Sequence, residues 1–419
     1  MPKTYDTIII GAGIAGCCTA YALQQRGQNV LLVDRSATPA SGGSGAAGAF
    51  VSPKIGKGSP LQILTNEAYE YAKDFYLKNF PEHFYQTGVI RIPKDAEDAQ
   101  KFRLYEPFNA SKYRSISKEE LEAIGIQNAD DSFLFEEAGV CDAPAMCRAI
   151  WEQVPFMQMD VEELEQTMNV WHIKARSHAL RGNVYLNVNN KGTSDPQNLR
   201  ACILTQESGN EVSITEPGEV IKAKNIVLAT GYQNTLFDMR YMGVRGTWGS
   251  RGDYYSKLKL DVSMHKSISV SANIDGIIKL GATHVKSKEP CMVCDGKPLQ
   301  DLETKAAQMV DTSDFRLKET FCGMRSGSKD YFPLVGKVID VAFMFEEYPA
   351  VARGAKPPLK HIENLFICNG MGGRGFVFAP MMAKWLVESM SKGKEIDKRV
   401  NPDRLFLKWA RKLRVRSEE

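Results

Sequence analysis

The amino-acid sequence predicts an α/β fold in which a nucleotide-binding unit, built on a parallel central sheet, is discontinuous along the chain and carries an inserted β-rich unit. Three stretches predict it: residues 5–35, 225–231 and 365–390. The first reads as strand, glycine turn, helix, strand and acid. Residues 7–10 form a short β-branched apolar run of the kind a buried parallel strand carries. The run enters Gly11-Ala12-Gly13-Ile14-Ala15-Gly16, helical spacing follows to Arg26, and Gly27 stops it. Residues 29–33 are a second apolar run, closed by Asp34 and Arg35. Together these make a Rossmann-like dinucleotide fingerprint. Gly11 permits the tight turn, Gly13 lets backbone approach a pyrophosphate, and Gly16 lets helix and strand pack closely. The helix N-terminus offers free N–H groups to phosphate. Asp34 suits a ribose diol and disfavours a 2′-phosphate, hence NADP.

The second stretch, Asn225 to Gly231, reads as a buried strand ending in a small-residue turn. In the third, a strand over residues 365–368 runs into Asn369-Gly370-Met371-Gly372-Gly373-Arg374-Gly375, and a helix follows from Ala379 through Met390. Both ends and the middle of the chain thus belong to one nucleotide-binding domain, with expected bounds 1–83, 133–240 and 320–419. The substrate domain takes 84–132 and 241–319.

The 419 residues suffice for two or three domains, and 43% apolar with 25% charged residues is ordinary for a globular protein. Net charge is +3, so an anionic partner must be met by a local patch. No run approaches the ~18 apolar residues of a membrane span. Residues 7–16 lack a basic leader and a cleavage site. Nine scattered cysteines fit a reduced, cytoplasmic protein.

Between the anchors, residues 37–48 are nearly all small. So close to a nucleotide site, such a loop lets backbone run along a cofactor and donate N–H groups. Residues 61–79 have helical periodicity, residues 84–93 read as a strand with a turn, and 133–141 are strand-like. A capping pattern at Ser117 starts a helix to Ile124, and residues 143–154 read as a helix. Short β pieces fill 169–217, and 244–308 reads as strands with turns, interrupted by a loop at 288–298.

These residues carry a family likeness over nearly the whole chain. The fingerprint, the small-residue loop, the 225–231 strand and the C-terminal glycine turn resemble the D-amino-acid-oxidase group of FAD enzymes, which includes glycine oxidase. Within it, the chain resembles the oxidase half of the MnmC family of tRNA wobble-uridine modification enzymes. Ser44-Gly45-Ala46-Ala47-Gly48-Ala49-Phe50 with Ser52-Pro53 resembles the flavin loop. Residues 324–336, from Met324-Arg325-Ser326 to Gly336, resemble the group's arginine-to-glycine signature, and Gly372-Gly373-Arg374-Gly375 leading to Ala379-Pro380 its last cofactor turn. The resemblance implies FAD, with Gly11, Gly13, Gly16 and Asp34 on the ADP half. It puts Ser44, Gly45, Ala46 and Gly48 near phosphates and flavin, Gly231 closing the pocket, and residues 372–375 facing the ring. The family's bifunctional members carry a methyltransferase domain before the oxidase, whereas this chain starts at the fingerprint. Only the oxidative half carries over, with a separate methyltransferase as a further partner.

That half oxidises a carboxymethylaminomethyl-uridine, in effect an N-alkylated glycine, at the tRNA wobble position. The resulting imine hydrolyses to glyoxylate and aminomethyl-uridine. Such a transfer needs alignment more than a strong base, and it needs a carboxylate anchor, for which an arginine fork suits best. Arg325 is the first candidate, against a structural ion pair with Asp330. Arg374 is the second, equally a cofactor or backbone contact. Tyr254, Tyr255 and Arg251 are weaker candidates for the substrate side.

Cys291 and Cys294 have metal-type spacing without a second pair, so no metal is expected. Cys322 lies near where some amine oxidases bond their flavin, one residue out of register. His172, His178, His265, His284 and His361 are scattered and read as structural. The tail, residues 392–416, is basic and interleaved with Leu405, Phe406, Leu407 and Trp409. It reads either as a docked amphipathic helix with a solvated cationic face or as a phosphate-tracking surface for tRNA. Three other functions stay open: an oxidase or dehydrogenase of free glycine, sarcosine or a D-amino acid; a flavin-containing RNA-binding protein without turnover; and, least favoured, a nicotinamide dehydrogenase.

Overall fold

The first sheet is laid down by the fingerprint itself. Thr4–Ile10 pairs in parallel with Val30–Asp34 on one side and Ile221–Leu228 on the other, and Ile221–Leu228 pairs in parallel with His361–Asn369. The three predicted anchors are therefore adjacent strands, although more than 180 residues separate the first from the second. Phe156–Gln158 extends the parallel sheet beyond Val30–Asp34. Antiparallel strands complete it: Val161–Thr167 and Val170–Ala175 on one branch, Leu334–Ile339 on the other. The computed structural model describes residues 4–175, 221–233, 235–285 and 296–417, the last four by backbone only. The expected β pieces beyond Ala175, Cys291, Cys294 and His178 lie outside these.

Both faces of this sheet are covered, which explains the continuous apolar runs at residues 8–10, 30–33 and 226–228 of its central strands. On one face the helices Ile14–Gln24, Pro60–Asn79, Ala143–Trp151 and Gly375–Lys392 pack over Ile9, Leu32 and Val227. On the other, Ile8, Leu31 and Ile226 meet Trp171, Tyr241 and the C-terminal helix Asp403–Ser417 through Phe406 and Ala410. The tail is thus an amphipathic helix docked on the body, as one of its two readings held. Ser117 accepts from the Glu120 N–H and Glu120 accepts from the Ser117 N–H, the expected capping box.

A second sheet of eight strands forms the inserted unit, in the order Arg316–Gly327, Arg245–Tyr255, Ile277–Gly281, Ser269–Val270, Ser263–His265, Val89–Arg91, Ser132–Phe135, Arg114–Ile116. It is antiparallel except where Val89–Arg91 runs parallel to Ser263–His265. Its membership moves two expected bounds. Phe133–Phe135 and Thr320–Gly327 pair in this sheet rather than the first, because Arg316–Gly327 follows Arg245–Tyr255 along its whole length.

Three α-helices among the described residues escaped the sequence reading, the short Val341–Glu347 among them. Lys297–Ala307 forms where strands and a loop were expected, and it buries Leu299, Leu302 and Ala306 against Tyr254 and Leu280. That spacing of three and four residues is helical. Ala96–Tyr105 begins at Asp95, which accepts from the Asp98 N–H at 2.8 Å. The helix expected from Ala379 starts at Gly375, so Pro380 lies inside it. A proline there cannot donate to the carbonyl four residues back. The Phe376 carbonyl is served instead by the buried Tyr76 hydroxyl at 2.9 Å.

Arg251 ties the sheets together. It is 1% exposed, donates to both carboxylate oxygens of Asp253 at 2.8 and 3.3 Å, and stacks 4.0 Å above the Phe321 ring. Its remaining donors reach the carbonyls of Gly45, at 3.2 Å, and Ala47 in the small-residue loop. Arg251 is therefore structural rather than substrate-facing. Removing a buried partner strands the other charge at a cost of about 3–5 kcal/mol. Arg251→Ala is expected to lose that much in urea unfolding of the FAD-loaded protein, and Arg251→Lys, which keeps the charge without the fork, to recover only part.

Candidate active site

Where the first sheet ends and the second begins, one cavity of about 660 Å³ runs between them. Its first wall is the fingerprint. Gly11 is left-handed at φ +111°, and a Cβ there would lie 2.4 Å from the Ala229 carbonyl oxygen. A Cβ on Gly16 would lie 1.8 Å from the Gly11 oxygen, so Gly16 works by packing and stays outside the cavity lining. Asp34 accepts from the N–H of Ala12 at 2.7 Å and of Ser36 at 2.9 Å, one bond per oxygen. Each oxygen keeps a lone pair for a diol. Beside it lies a smaller cleft of about 120 Å³, walled by Ile10, Met159, Thr230 and Leu236. Arg35 closes its rim by donating to Gln233.

The small-residue loop forms the next wall. Ser44 Oγ accepts from the Ile14 N–H at 3.0 Å, at the start of the fingerprint helix. A Cβ on Gly13 would come within 3.1 Å of that oxygen, so glycine keeps the cradle open. Ser44, Ala47 and Gly48 line the cavity with Ile14 and Ala15. Ala12, Gly45 and Ala46 do not: Gly45 donates to the Ala40 carbonyl, and Ala46 packs under Gly323. Gly231, Gly372, Gly373, Arg374 and Gly375 close the far side. An elongated, glycine-lined trough with an acid at one end fits an FAD molecule laid from Asp34 to the C-terminal turn.

Arg325 reaches the cavity from Arg316–Gly327. It makes no ion pair with Asp330, whose carboxylate is held at 2.9 Å by both Nε and Nη2 of Arg404. Nη1 of Arg325 donates to the Thr283 carbonyl at 3.1 Å, and burial lowers its pKa. Arg374 donates to the Ser52 carbonyl at 3.2 Å, and burial pushes it down to about 10. Both nominated arginines thus line one cavity.

Other nominations fail. Tyr254 is buried in the second core, donating to Glu303 at 2.8 Å, and Tyr255 is 52% exposed outside the cavity. Cys322 is disulfide-bonded, so it offers no thiol to a flavin and departs from the reduced state expected of the cysteines. His361 bonds Asp403 at 3.0 Å. His265 and His284, read as structural, line the cavity instead. Burial, then Arg91 and Arg374, holds His265 neutral, far below the usual imidazole range. Lys54, Arg91, Met324 and Tyr331 also line it and were missed. The only signal for Arg91 was its place in the alternating run Val89 to Ile92.

A complete fingerprint with its acid, continuing into a trough closed by a second glycine turn, defines an FAD-dependent oxidoreductase. The chain belongs to the DAO family of FAD-dependent oxidoreductases, whose family model matches residues 6–389. It is 23% identical, over 96% of its length, to the tRNA 5-methylaminomethyl-2-thiouridine biosynthesis bifunctional protein MnmC of Pseudomonas putida, and 24% to that of Pseudoalteromonas atlantica. It spans about 60% of the length of these relatives. Among solved structures, glycine oxidase from Bacillus cereus superposes with a TM-score of 0.69 at 15% identity, covering 93% of this chain and 96% of that one. L-proline dehydrogenase from P. horikoshii gives 0.68 at 14%, covering all of both chains. Both share the fold. Among the described residues, no helix is long and apolar enough to cross a membrane.

Because the Gly16 contact is backbone on backbone, no rotamer change relieves an added methyl. Gly16→Ala is expected to weaken FAD binding at least about tenfold through overpacking. The flavin-to-protein absorbance ratio after dialysis measures it, and an unchanged ratio would show that the turn yields.

Proposed function

We propose that this chain removes the carboxymethyl group of 5-carboxymethylaminomethyl-(2-thio)uridine at the tRNA wobble position in the cytoplasm, leaving aminomethyl-uridine and glyoxylate. The observation that carries this reading over a small-amine oxidase lies at the cavity rim. Tyr331 lines the cavity, is 73% exposed and has a left-handed backbone at φ +67°. Next to it, Lys329 has its pKa lowered first by Lys412, then by burial, Lys408 and Arg245. All four cations are exposed. Lys408 and Lys412 follow Arg404 at helical spacing, and Arg404 is pinned to Asp330 on the Tyr331 loop. The cationic row therefore starts at the cavity mouth. An exposed ring beside clustered cations suits a splayed base with its phosphates. The name of the MnmC relatives, tRNA 5-methylaminomethyl-2-thiouridine biosynthesis bifunctional protein, supports the same substrate.

Bound FAD supplies the two-electron acceptor. The chain's residues then position the CH–NH group. Arg325 and Arg374 are the groups we assign to orienting the substrate, Tyr331 stacks the base, and the neutral His265 adds no charge. Water hydrolyses the oxidised C–N bond, and a separate methyltransferase takes the aminomethyl product. The second sheet with its helices serves as the substrate domain, and the first sheet holds FAD.

A second reading, oxidation of free glycine, sarcosine or a D-amino acid, is favoured by the same two arginines and the glycine oxidase fold. Anaerobic mixing of the FAD-loaded protein with tRNA rich in carboxymethylaminomethyl-uridine, beside free glycine, separates the two. Bleaching of the flavin band by tRNA alone is expected; bleaching by glycine alone would establish the second reading. Lys408→Glu with Lys412→Glu is expected to cut kcat/KM on tRNA by about tenfold or more at low salt, with a shallower salt dependence. FAD content should be unchanged.

A further inference from the structure

A strained residue at the cavity mouth is held there by a side chain from outside the cavity. Among the described residues, eight that are not glycine have left-handed backbone, and Tyr331 is the one aromatic residue of the eight. Asparagine and aspartate tolerate that conformation because their short polar side chains bond locally; a bulky residue does not. The ring does not account for it. Among the described residues, the Tyr331 side chain makes no hydrogen bond and no aromatic contact.

The backbone on either side of Tyr331 is fixed instead. The Tyr331 N–H donates to the Ser328 carbonyl at 3.3 Å. The hydroxyl of Ser328, a residue 3% exposed, lies 2.6 Å from the Phe332 carbonyl and 3.0 Å from Asp330 Oδ1. Arg404 then grips both neighbours of Tyr331 at once. Its Nε and Nη2 donate to the two Asp330 oxygens at 2.9 Å each, and Nη2 also reaches the Phe332 carbonyl at 3.1 Å. Nη1 donates to the Asn401 carbonyl at 2.9 Å, so the guanidinium is itself tied down. Two residues on, Phe406 is fully buried and seats the helix that carries Arg404. A left-handed residue of this size persists only where its surroundings over-determine it, and such residues gather at functional sites. Here the surroundings hold the backbone and leave the ring free to line the cavity.

We propose that Arg404 is a positioning residue: it holds Tyr331 in its left-handed turn so that the ring is a fixed wall for a planar group of the substrate, which rests on the reading that a wobble base is presented there. Stacking on an aromatic ring accepts any base, and a ring ordered beforehand spares the affinity that ordering it on binding would cost. Arginine suits the task because one planar fork spans a carboxylate and a carbonyl together, whereas lysine offers a point charge.

Two measurements on the FAD-loaded protein test this, and one needs no substrate. Chymotrypsin cleaves after tyrosine, so limited digestion reads how firmly the Tyr331–Phe332 bond is held. Arg404→Gln is expected to speed cutting at this bond about tenfold, with cutting elsewhere and FAD content unchanged, and Arg404→Lys to fall between. On tRNA rich in carboxymethylaminomethyl-uridine, Arg404→Gln is expected to raise KM about tenfold, with kcat within about twofold of the parent and the same salt dependence. A direct phosphate contact would instead flatten that dependence. Added to Tyr331→Gly, whose backbone needs no clamp, Arg404→Gln should raise KM no further. The positioning role is overturned if Arg404→Gln is cut at the parent's rate, keeps the parent's KM, or multiplies its loss with that of Tyr331→Gly. Failure of the tRNA reading shows in the parent itself, as no turnover of this tRNA, and the cleavage rates then decide alone. Should Arg404→Gln not fold, Asp330→Asn decides in the same two assays.

Discussion

Backbone must touch backbone at the junction of the two sheets, and the cavity exists because glycine allows it. The Gly11 carbonyl abuts Gly16, and the Met324 carbonyl lies where a Cβ on Gly43 would come within 2.5 Å of it. The first contact seats the fingerprint helix on the end of its strand. The second lays the small-residue loop on Arg316–Gly327, the edge strand of the inserted unit. With the loop pinned from that side, Arg251 grips two of its carbonyls from within the second sheet. The loop is thus over-determined before any cofactor arrives, as a preorganised site requires.

Charge in this protein is arranged locally rather than in bulk. The net charge of +3 conceals a cavity wall carrying Lys54, Arg91, Arg325 and Arg374 against Asp34. Many basic residues of the tail are spent on structure: Arg399 on Asp397 and Glu67, Arg404 on Asp330, Lys394 on Glu388. The cations that remain exposed, such as Lys408 and Lys412, are those on the row leading away from the rim. A docked amphipathic helix and a surface for anions are thus compatible readings of one segment.

How far the sequence was legible follows from how local each signal is. The fingerprint, its acid and the C-terminal glycine turn were readable because adjacent residues create them, and adjacent strands were implied by their shared buried character. Arg325 and Arg374 were readable because glycine turns flank them. Arg91 and His265 were not: they meet through the register of two strands with 171 residues of chain between them. Tyr254 and Arg251 misled because strand alternation fixes that they face opposite sides but not which side is the cavity. Lys297–Ala307 was overlooked because Pro298 and the surrounding β pattern obscured a three-residue apolar stripe.

The bond from Tyr76 to the Phe376 carbonyl links two positions that share no other sequence signal. Pro380 leaves that carbonyl without its helical donor, and a hydroxyl from a helix 300 residues earlier replaces it. In a lineage of such chains the two positions are epistatic. Tyrosine at 76 can drift to phenylalanine at little cost only after proline has left 380, whereas proline can enter 380 smoothly only where the tyrosine already stands. The order in which the two changes occur is thereby constrained by one buried carbonyl group.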